Sequence, residues 1–185
     1  MRMFLHICCA PCSVMVIKKL REEGHEVTGF WYNPNIHPYM EYKARKEALE
    51  GYAKSIALDL VEDDLYGLKM FVRNVVKDLD NRCPYCYEER IRKTARKAKK
   101  LGFEAFTTTL LISPYQRHEL LKEIAERIGE EEGIPFYYED FRTYFYEGRK
   151  IARELPLYMQ KYCGCVFSEE ERYMGDIARQ NKKKA

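Results

Sequence analysis

The chain has 185 residues, 46% of them apolar, which is enough for one good hydrophobic core and short for two. Lysine and arginine number 32 against 29 acidic residues, and the net charge of +3 is too small to indicate nucleic-acid binding by itself. The first apolar run stops at Cys8 without the features of an export signal, and charged residues interrupt every later run before it could cross a bilayer. We therefore expect one cytoplasmic domain, residues 1–185, with no membrane segment.

The first predicted elements alternate between strand and helix. The apolar run 3–7 ends at a Cys/Pro turn, and residues 13–23 follow with apolar side chains at helical spacing. Residues 26–32 are rich in β-branched and aromatic side chains, and Asn33-Pro34 ends this run. The order strand, helix, strand predicts a βαβ unit with parallel pairing.

The rest of the chain continues this alternation. Predicted helices cover residues 39–58, 65–79, 85–101, 115–132, 146–155 and 168–180, and predicted strands cover residues 60–62, 104–110 and 136–138. The pattern predicts a Rossmann-like three-layer α/β sandwich with a mostly parallel sheet. The C-terminal region, about 146–180, is predicted to be helical and carries Cys163-Gly164-Cys165.

Seven cysteines fall into three short groups, Cys8-Cys9-Ala10-Pro11-Cys12, Cys83-Pro84-Tyr85-Cys86 and Cys163-Gly164-Cys165. An odd number of cysteines without an export signal argues against a disulfide framework and favours metal binding or redox catalysis. The first group lies between a predicted strand and a predicted helix, where open α/β sheets bind ligands, and the helix dipole favours thiolates there. The central glycine of the third group permits unusual backbone angles that bring two thiols together. We predict that the three groups form one shared site.

The spacing of the groups favours an iron-sulfur cluster over zinc. A four-cysteine zinc site usually pairs two short knuckles in a compact ribbon, whereas these groups are far apart in the sequence. Iron-sulfur clusters accept thiolates from scattered segments, and four ligands leave three cysteines for a second metal or a dithiol pair. We predict a [4Fe-4S] cluster with a cysteine pair, and the spacing leaves open which four cysteines bind it.

A basic helix is predicted directly after the C-x-x-C pair. Its cations are candidates for holding RNA phosphates, with a solvated helix face as the equal alternative. The basic residues are Arg90, Arg92, Lys93, Arg96, Lys97, Lys99 and Lys100. A splayed nucleotide base has three candidate stacking partners, Tyr85, Tyr87 and Tyr115.

Four motifs carry a family resemblance. They are residues 5–13 (LHICCAPCS), 32–38 (YNPNIHP), 82–87 (RCPYCY) with Arg90, and 162–165 (YCGC). Through them nearly the whole chain resembles the QueH type of epoxyqueuosine reductase. The resemblance implies the adenine nucleotide α-hydrolase-like (HUP) form of the sandwich, with the cysteine loop in place of a phosphate-binding loop. It further implies reduction of epoxyqueuosine to queuosine in the tRNA anticodon loop, with no cobalamin and no ATP.

The same resemblance implies roles for the cysteines. The implied cluster ligands are Cys8, Cys9, Cys83 and Cys86. The implied redox-active pair is Cys163 and Cys165. Cys12 has no firm role and is a candidate ligand of a second metal ion, iron or zinc, together with one thiol of that pair and with Asp80. The electron donor is an unidentified partner, and the oligomeric state is left open.

Removing the epoxide oxygen to leave an alkene takes two electrons and two protons, and the oxygen departs as water. Because a cluster passes electrons singly, a C-x-C dithiol or a second metal would serve as a further store. Candidate proton donors are His6 beside the cysteine loop, His37 in the Pro-bounded turn, and Tyr32, each with a structural role as its alternative.

Two other functions compete with the reductase. A tRNA sulfur-transfer enzyme would also use a cysteine-bound cluster on a related sandwich, but it normally needs a Gly/Ser-rich ATP loop, which this sequence lacks. A non-catalytic nucleic-acid-binding module stabilised by zinc or a cluster would use all seven cysteines structurally.

Overall fold

Four parallel strands form the centre of the fold in the computed structural model, which describes residues 1–184. They are β1 (Arg2–His6), β2 (Glu26–Trp31), β3 (Leu60–Glu62) and β4 (Ala105–Thr108), and they lie in the order β3-β2-β1-β4. Leu5 of the central strand β1 lies opposite Gly29 on one side and Thr107 on the other. Since all these pairs are parallel, the carboxyl ends of the strands share one edge of the sheet.

Helices cover both faces of this sheet, with α1 packed on α6 and α4 on α5. Their bounds are α1 (Ala10–Glu22), α2 (Tyr39–Ser55), α3 (Leu68–Val75), α4 (Cys83–Lys100), α5 (His118–Glu132), α6 (Phe145–Glu154) and α7 (Val166–Lys184), with short 3-10 helices at Thr109–Ile112 and Phe141–Tyr144. The predicted α/β sandwich with a parallel sheet is confirmed. Each helix of the described chain is too short or too polar to span a membrane.

The predicted strand at residues 136–138 is wrong. Phe136 forms a single parallel bridge to Phe106, and the chain on either side is irregular. The bridge consists of two hydrogen bonds, from the Phe106 N–H to the Pro135 carbonyl oxygen and from the Tyr137 N–H to the Phe106 carbonyl oxygen. β4 ends at Thr108, whose hydroxyl accepts a hydrogen bond from the N–H of Leu110 and begins a 3-10 helix. The same cap explains why β4 stops two residues before the predicted end at residue 110.

Gly67, just before α3, lies against the turn that follows β2. A Cβ at Gly67 would stand 2.4 Å from the Cβ of Pro34 and 2.8 Å from its carbonyl oxygen. Gly67→Ala should therefore displace this turn and lower the free energy of unfolding by about 1–3 kcal/mol. Gly51 in α2 is the matched control, because a Cβ there meets no atom within 4 Å and alanine should stabilise the helix by about 0.5–1 kcal/mol. Denaturant titration measures both changes, and equal effects would contradict the expected contact.

Candidate functional site

Three thiols meet at the carboxyl edge of the sheet. Cys8 and Cys9 follow β1, Cys9 caps the N-terminus of α1, and Cys12 lies in its first turn. The Sγ atoms of these residues all lie within 4.8 Å of one another, and those of Cys8 and Cys9 are 3.8 Å apart. Thr109, directly after β4, accepts a hydrogen bond from the Cys8 N–H at 3.1 Å and donates one to the Cys8 Sγ at 3.4 Å. We call Cys8, Cys9 and Cys12 the first thiol group.

The other four cysteines form the second thiol group, Cys83, Cys86, Cys163 and Cys165. Cys83 and Cys86 occupy the first turn of α4, and Cys86 is buried with Cys165 in a small apolar cluster. Burial raises the pKa of the Cys83 thiol, and the charges of Cys163 and Cys165 raise it further. The segment before α7 therefore lies against the start of α4, although the two are far apart in the sequence.

Arg45 of α2 holds the Cys-Gly-Cys segment in place. Its buried guanidinium donates hydrogen bonds to the carbonyl oxygens of Tyr162 at 3.0 Å and Cys163 at 2.9 Å. Gly164, with φ of +156°, accepts a hydrogen bond at 2.8 Å from the N–H of His37. The positive φ is one that other residues rarely adopt, so the glycine is needed to seat this segment on the turn after β2.

Arg90 places a buried positive charge beside the thiols. Its guanidinium donates to the Cys86 carbonyl oxygen at 3.0 Å and to the Cys86 Sγ at 3.1 Å, and its charge also acts on Cys163 and Cys8. Among the described residues, no carboxylate forms an ion pair with it. We infer that in the metal-bound protein the cysteine thiolates supply the negative charge that stabilises this buried cation. Burial is the main reason that the pKa of Cys86 is raised to about 12, and Arg90 opposes that shift.

The donor set fits an iron-sulfur cluster or another thiolate-bound metal. Hydrogen bonds from Cys12, and then from Cys9, hold the pKa of Cys8 well below its ordinary value, while burial raises that of Cys9. Thiolates are soft ligands that select zinc, copper(I) or iron-sulfur clusters. Seven cysteines in these two groups, beside a buried arginine, are more than one four-ligand zinc site needs.

A cavity of about 630 Å³ opens beside both groups. Its wall includes Cys8 and Cys12 of the first group and Cys163 of the second. Two lining amides reach the thiols: Gln160 Nε2 lies 2.9 Å from the Cys9 Sγ, and Gln116 Nε2 lies 3.4 Å from the Cys163 Sγ. The volume suits a small-molecule or single-nucleotide ligand. The cavity is therefore the place where a substrate can meet the thiols.

The two histidines predicted as proton donors form hydrogen bonds within the fold. His6 is buried, and its Nε2 donates to the Tyr32 carbonyl oxygen at 3.2 Å, which leaves Nδ1 to accept from the Thr108 hydroxyl at 2.9 Å. His37 is also buried and donates from Nε2 to the Pro34 carbonyl oxygen at 3.0 Å. Burial lowers the pKa of each ring to about 4, so both are neutral near pH 7. Neither lines the cavity.

Tyr32, the third predicted proton donor, does not line the cavity either. Its hydroxyl donates to a carboxylate oxygen of Glu89 at 2.6 Å, and burial raises its pKa above the ordinary value. Tyr32→Phe should lower the free energy of unfolding by about 1.5–3 kcal/mol, the usual contribution of a hydrogen bond to a charged group. Its kcat should stay within a few fold of wild type, since loss of a general acid usually costs about 100-fold or more. A drop of that size in steady-state assays would restore Tyr32 as the proton donor.

Three of the basic residues of α4 are paired with carboxylates. Arg92 and Arg96 each pair with Glu132 at 2.9 Å, and Lys93 pairs with Asp63 at 2.8 Å. Arg90, grouped with them by sequence, is buried beside Cys86 and cannot reach an RNA phosphate at the surface. The face predicted to bind RNA therefore carries less free positive charge than the sequence indicates.

The remaining predicted residues are scattered. Tyr85 packs on Phe71, and Tyr87 is buried with its hydroxyl donating to Gln116 Oε1 at 2.7 Å. Lys97 lies half-buried on α4, and Asp80 is exposed in the turn before it. In the described chain, Asp80 joins no group of three metal-ligating side chains. Tyr115 is exposed at the cavity.

No sequence pattern indicates a functional role for Arg45, Gln116 or Gln160. Arg45 sits in a charged helical stretch typical of a solvated face, and the two glutamines lie in segments without a motif. Only the packing of α2, and of the loops before α5 and α7, against the cysteines reveals their contacts.

Comparisons with known proteins agree with the geometry. The family model described as epoxyqueuosine reductase QueH matches residues 3–171. A protein of that name from Dehalococcoides mccartyi is 39% identical over 93% of this chain and 94% of its own length, and one from Thermotoga maritima is 35% identical over 91% and 90%. The crystal structure of a protein described as a predicted subunit of tRNA methyltransferase, from Methanocaldococcus jannaschii, shares the fold. Its TM-score is 0.50, with 13% identity over 83% of this chain and 88% of that one.

Proposed function

This chain belongs to the QueH family of epoxyqueuosine reductases, and we propose that it reduces epoxyqueuosine to queuosine in the anticodon loop of tRNA. The reaction breaks both C–O bonds of the epoxide, forms a C=C bond and releases water, consuming two electrons and two protons. A cysteine dithiol or a thiolate-bound metal cluster can supply these electrons, whereas side chains without sulfur cannot. The observation that supports this function is the cavity whose wall contains thiols of both groups.

The proposed cluster ligands are Cys8, Cys9, Cys83 and Cys86. Arg90 supports a set drawn from both groups, because its charge acts on Cys8 and Cys86 alike. When bound, a [4Fe-4S] cluster supplies single electrons. The proposed redox-active pair is Cys163 and Cys165, and the proposed ligands of a second iron or zinc ion are Cys12, one thiol of that pair and Asp80.

The chain's own residues position the substrate and its protons. Cys163 is the exposed thiol of the second group, and Arg45 fixes the backbone that carries it. Tyr115 and Lys161 bring a hydroxyl and an ammonium group to the cavity wall, where each could give a proton to the departing oxygen. The proposed electron source is an unidentified donor, and the proposed location is the cytoplasm, where a tRNA substrate is found.

The test is conversion of tRNA that carries epoxyqueuosine. The protein would be purified anaerobically, its iron and sulfide counted, and the tRNA incubated with it and dithionite in the absence of ATP. Mass spectrometry of the digested nucleosides should show queuosine. The iron analysis of the protein should give about four irons per cluster. A thiolated nucleoside that forms only with ATP would identify a sulfur-transfer enzyme instead. Zinc without iron, and no conversion, would leave a structural module.

A further inference from the structure

Three aromatic rings form a row at the cavity. Tyr115 and Phe145 line its wall and meet edge to face with centroids 5.8 Å apart, and Tyr146 meets Phe145 in the same way at 5.3 Å. The two outer rings are almost free of protein contact, since Tyr115 is 79% and Tyr146 77% exposed. We call these three residues the aromatic rim. Contact of two large exposed rings with water is unfavourable, so the aromatic rim is suited to a ligand with flat faces that covers them.

Positively charged side chains lie beside the aromatic rim. The Arg149 guanidinium lies 5.5 Å from the centroid of the Phe145 ring, and Arg149 and Lys161 both line the cavity. Lys150 and Arg153 continue the charge along α6. None of these four cations forms an ion pair with a carboxylate of the described residues, in contrast to Arg92, Lys93 and Arg96 of α4.

We propose that the aromatic rim, with Arg149 and Lys161, binds the anticodon-loop nucleotides that flank the modified base, an inference that rests on the proposed function. Unpaired loop bases stack on exposed aromatic side chains irrespective of sequence, and free cations hold their phosphates. Stacking of the neighbours on the rim leaves the modified base to enter the cavity next to Cys163. The proposed RNA surface therefore includes α6 and the loops beside it.

Fluorescence anisotropy with a labelled anticodon stem-loop tests this surface. Tyr115→Ala with Tyr146→Ala should weaken binding by roughly tenfold or more, because each stacked base contributes measurably. Arg149→Gln with Lys161→Gln should lower the slope of log Kd against log salt by about one to two, one per lost phosphate contact. Tyr39→Ala and Lys43→Gln on α2 are matched controls, since Tyr39 is 53% exposed and neither residue lines the cavity.

The outcomes separate this proposal from the enzymatic one. Because the outer tyrosines are exposed, circular dichroism should show the variants folded, and the charge pair tests the same surface independently. Rim variants that bind the stem-loop as tightly as the controls would overturn the proposal, as would loss of binding on replacing Arg92 and Arg96 alone. The proposed function fails separately if the wild type binds the stem-loop but converts no epoxyqueuosine.

Discussion

Cys163→Ser should lower the turnover rate by several orders of magnitude, while the iron content and visible absorbance stay close to wild type. Cys163 is exposed, lines the cavity and receives a hydrogen bond from Gln116, so its thiol is placed to meet the substrate. Serine keeps the size and the hydrogen bond, but its oxygen cannot be oxidised and reduced as sulfur can. Iron analysis, absorbance and queuosine formation on one preparation measure these effects.

Cys83→Ser provides the matched comparison. Cys83 is half-buried at the start of α4 and belongs to the proposed ligand set, so its serine variant should lose the cluster and its absorbance together with turnover. If Cys163→Ser loses iron as Cys83→Ser does, then Cys163 is itself a ligand, and the cluster belongs to the second thiol group. That outcome would contradict the ligand set drawn from both groups.

Arg90→Met should lower the iron content of the protein and its free energy of unfolding. The guanidinium is buried, has no carboxylate partner among the described residues and donates to the Cys86 Sγ at 3.1 Å. Without it, the pKa of Cys86 rises further above 9.0, because burial is no longer opposed, and the thiolate needed for metal binding is less available. Removing one partner of a buried charge pair typically costs about 3–5 kcal/mol.

A surface arginine controls for this change. Arg73→Met on α3 removes an exposed charge and should leave both iron content and denaturation midpoint near wild type. An Arg90→Met protein that binds iron normally would show that the guanidinium is not the counter-charge of the thiolates.

Most of the fold follows from local patterns in the sequence. The apolar runs of β1 and β2 and the helical spacing of α1 predict the βαβ unit because each element buries one face on its neighbours. Residues 136–138 have the same composition as a strand, yet only Phe136 forms a bridge to β4. How far two segments pair is a tertiary property that no local pattern contains.

The candidate site could be predicted in part. The motifs around Cys8, Cys83 and Cys163 indicate metal binding whatever their separation in the sequence, because thiolates that meet in the fold can bind one metal. The arginines could not be sorted in this way. Arg90 and Arg96 look alike in a basic helix, but Arg90 turns inward to Cys86 while Arg96 pairs with Glu132 at the surface. Burial by neighbouring elements decides between these roles.

A single-turnover reaction tests the source of the electrons most directly. Protein reduced with dithionite and then freed of reductant would be mixed anaerobically with a limiting amount of tRNA carrying epoxyqueuosine, while its absorbance is followed and queuosine is counted. We expect queuosine to form as the absorbance of the reduced protein is lost, at the same rate in both measurements. Queuosine that forms without any change in absorbance, or an absorbance change without queuosine, would contradict electron transfer to the substrate through the cluster.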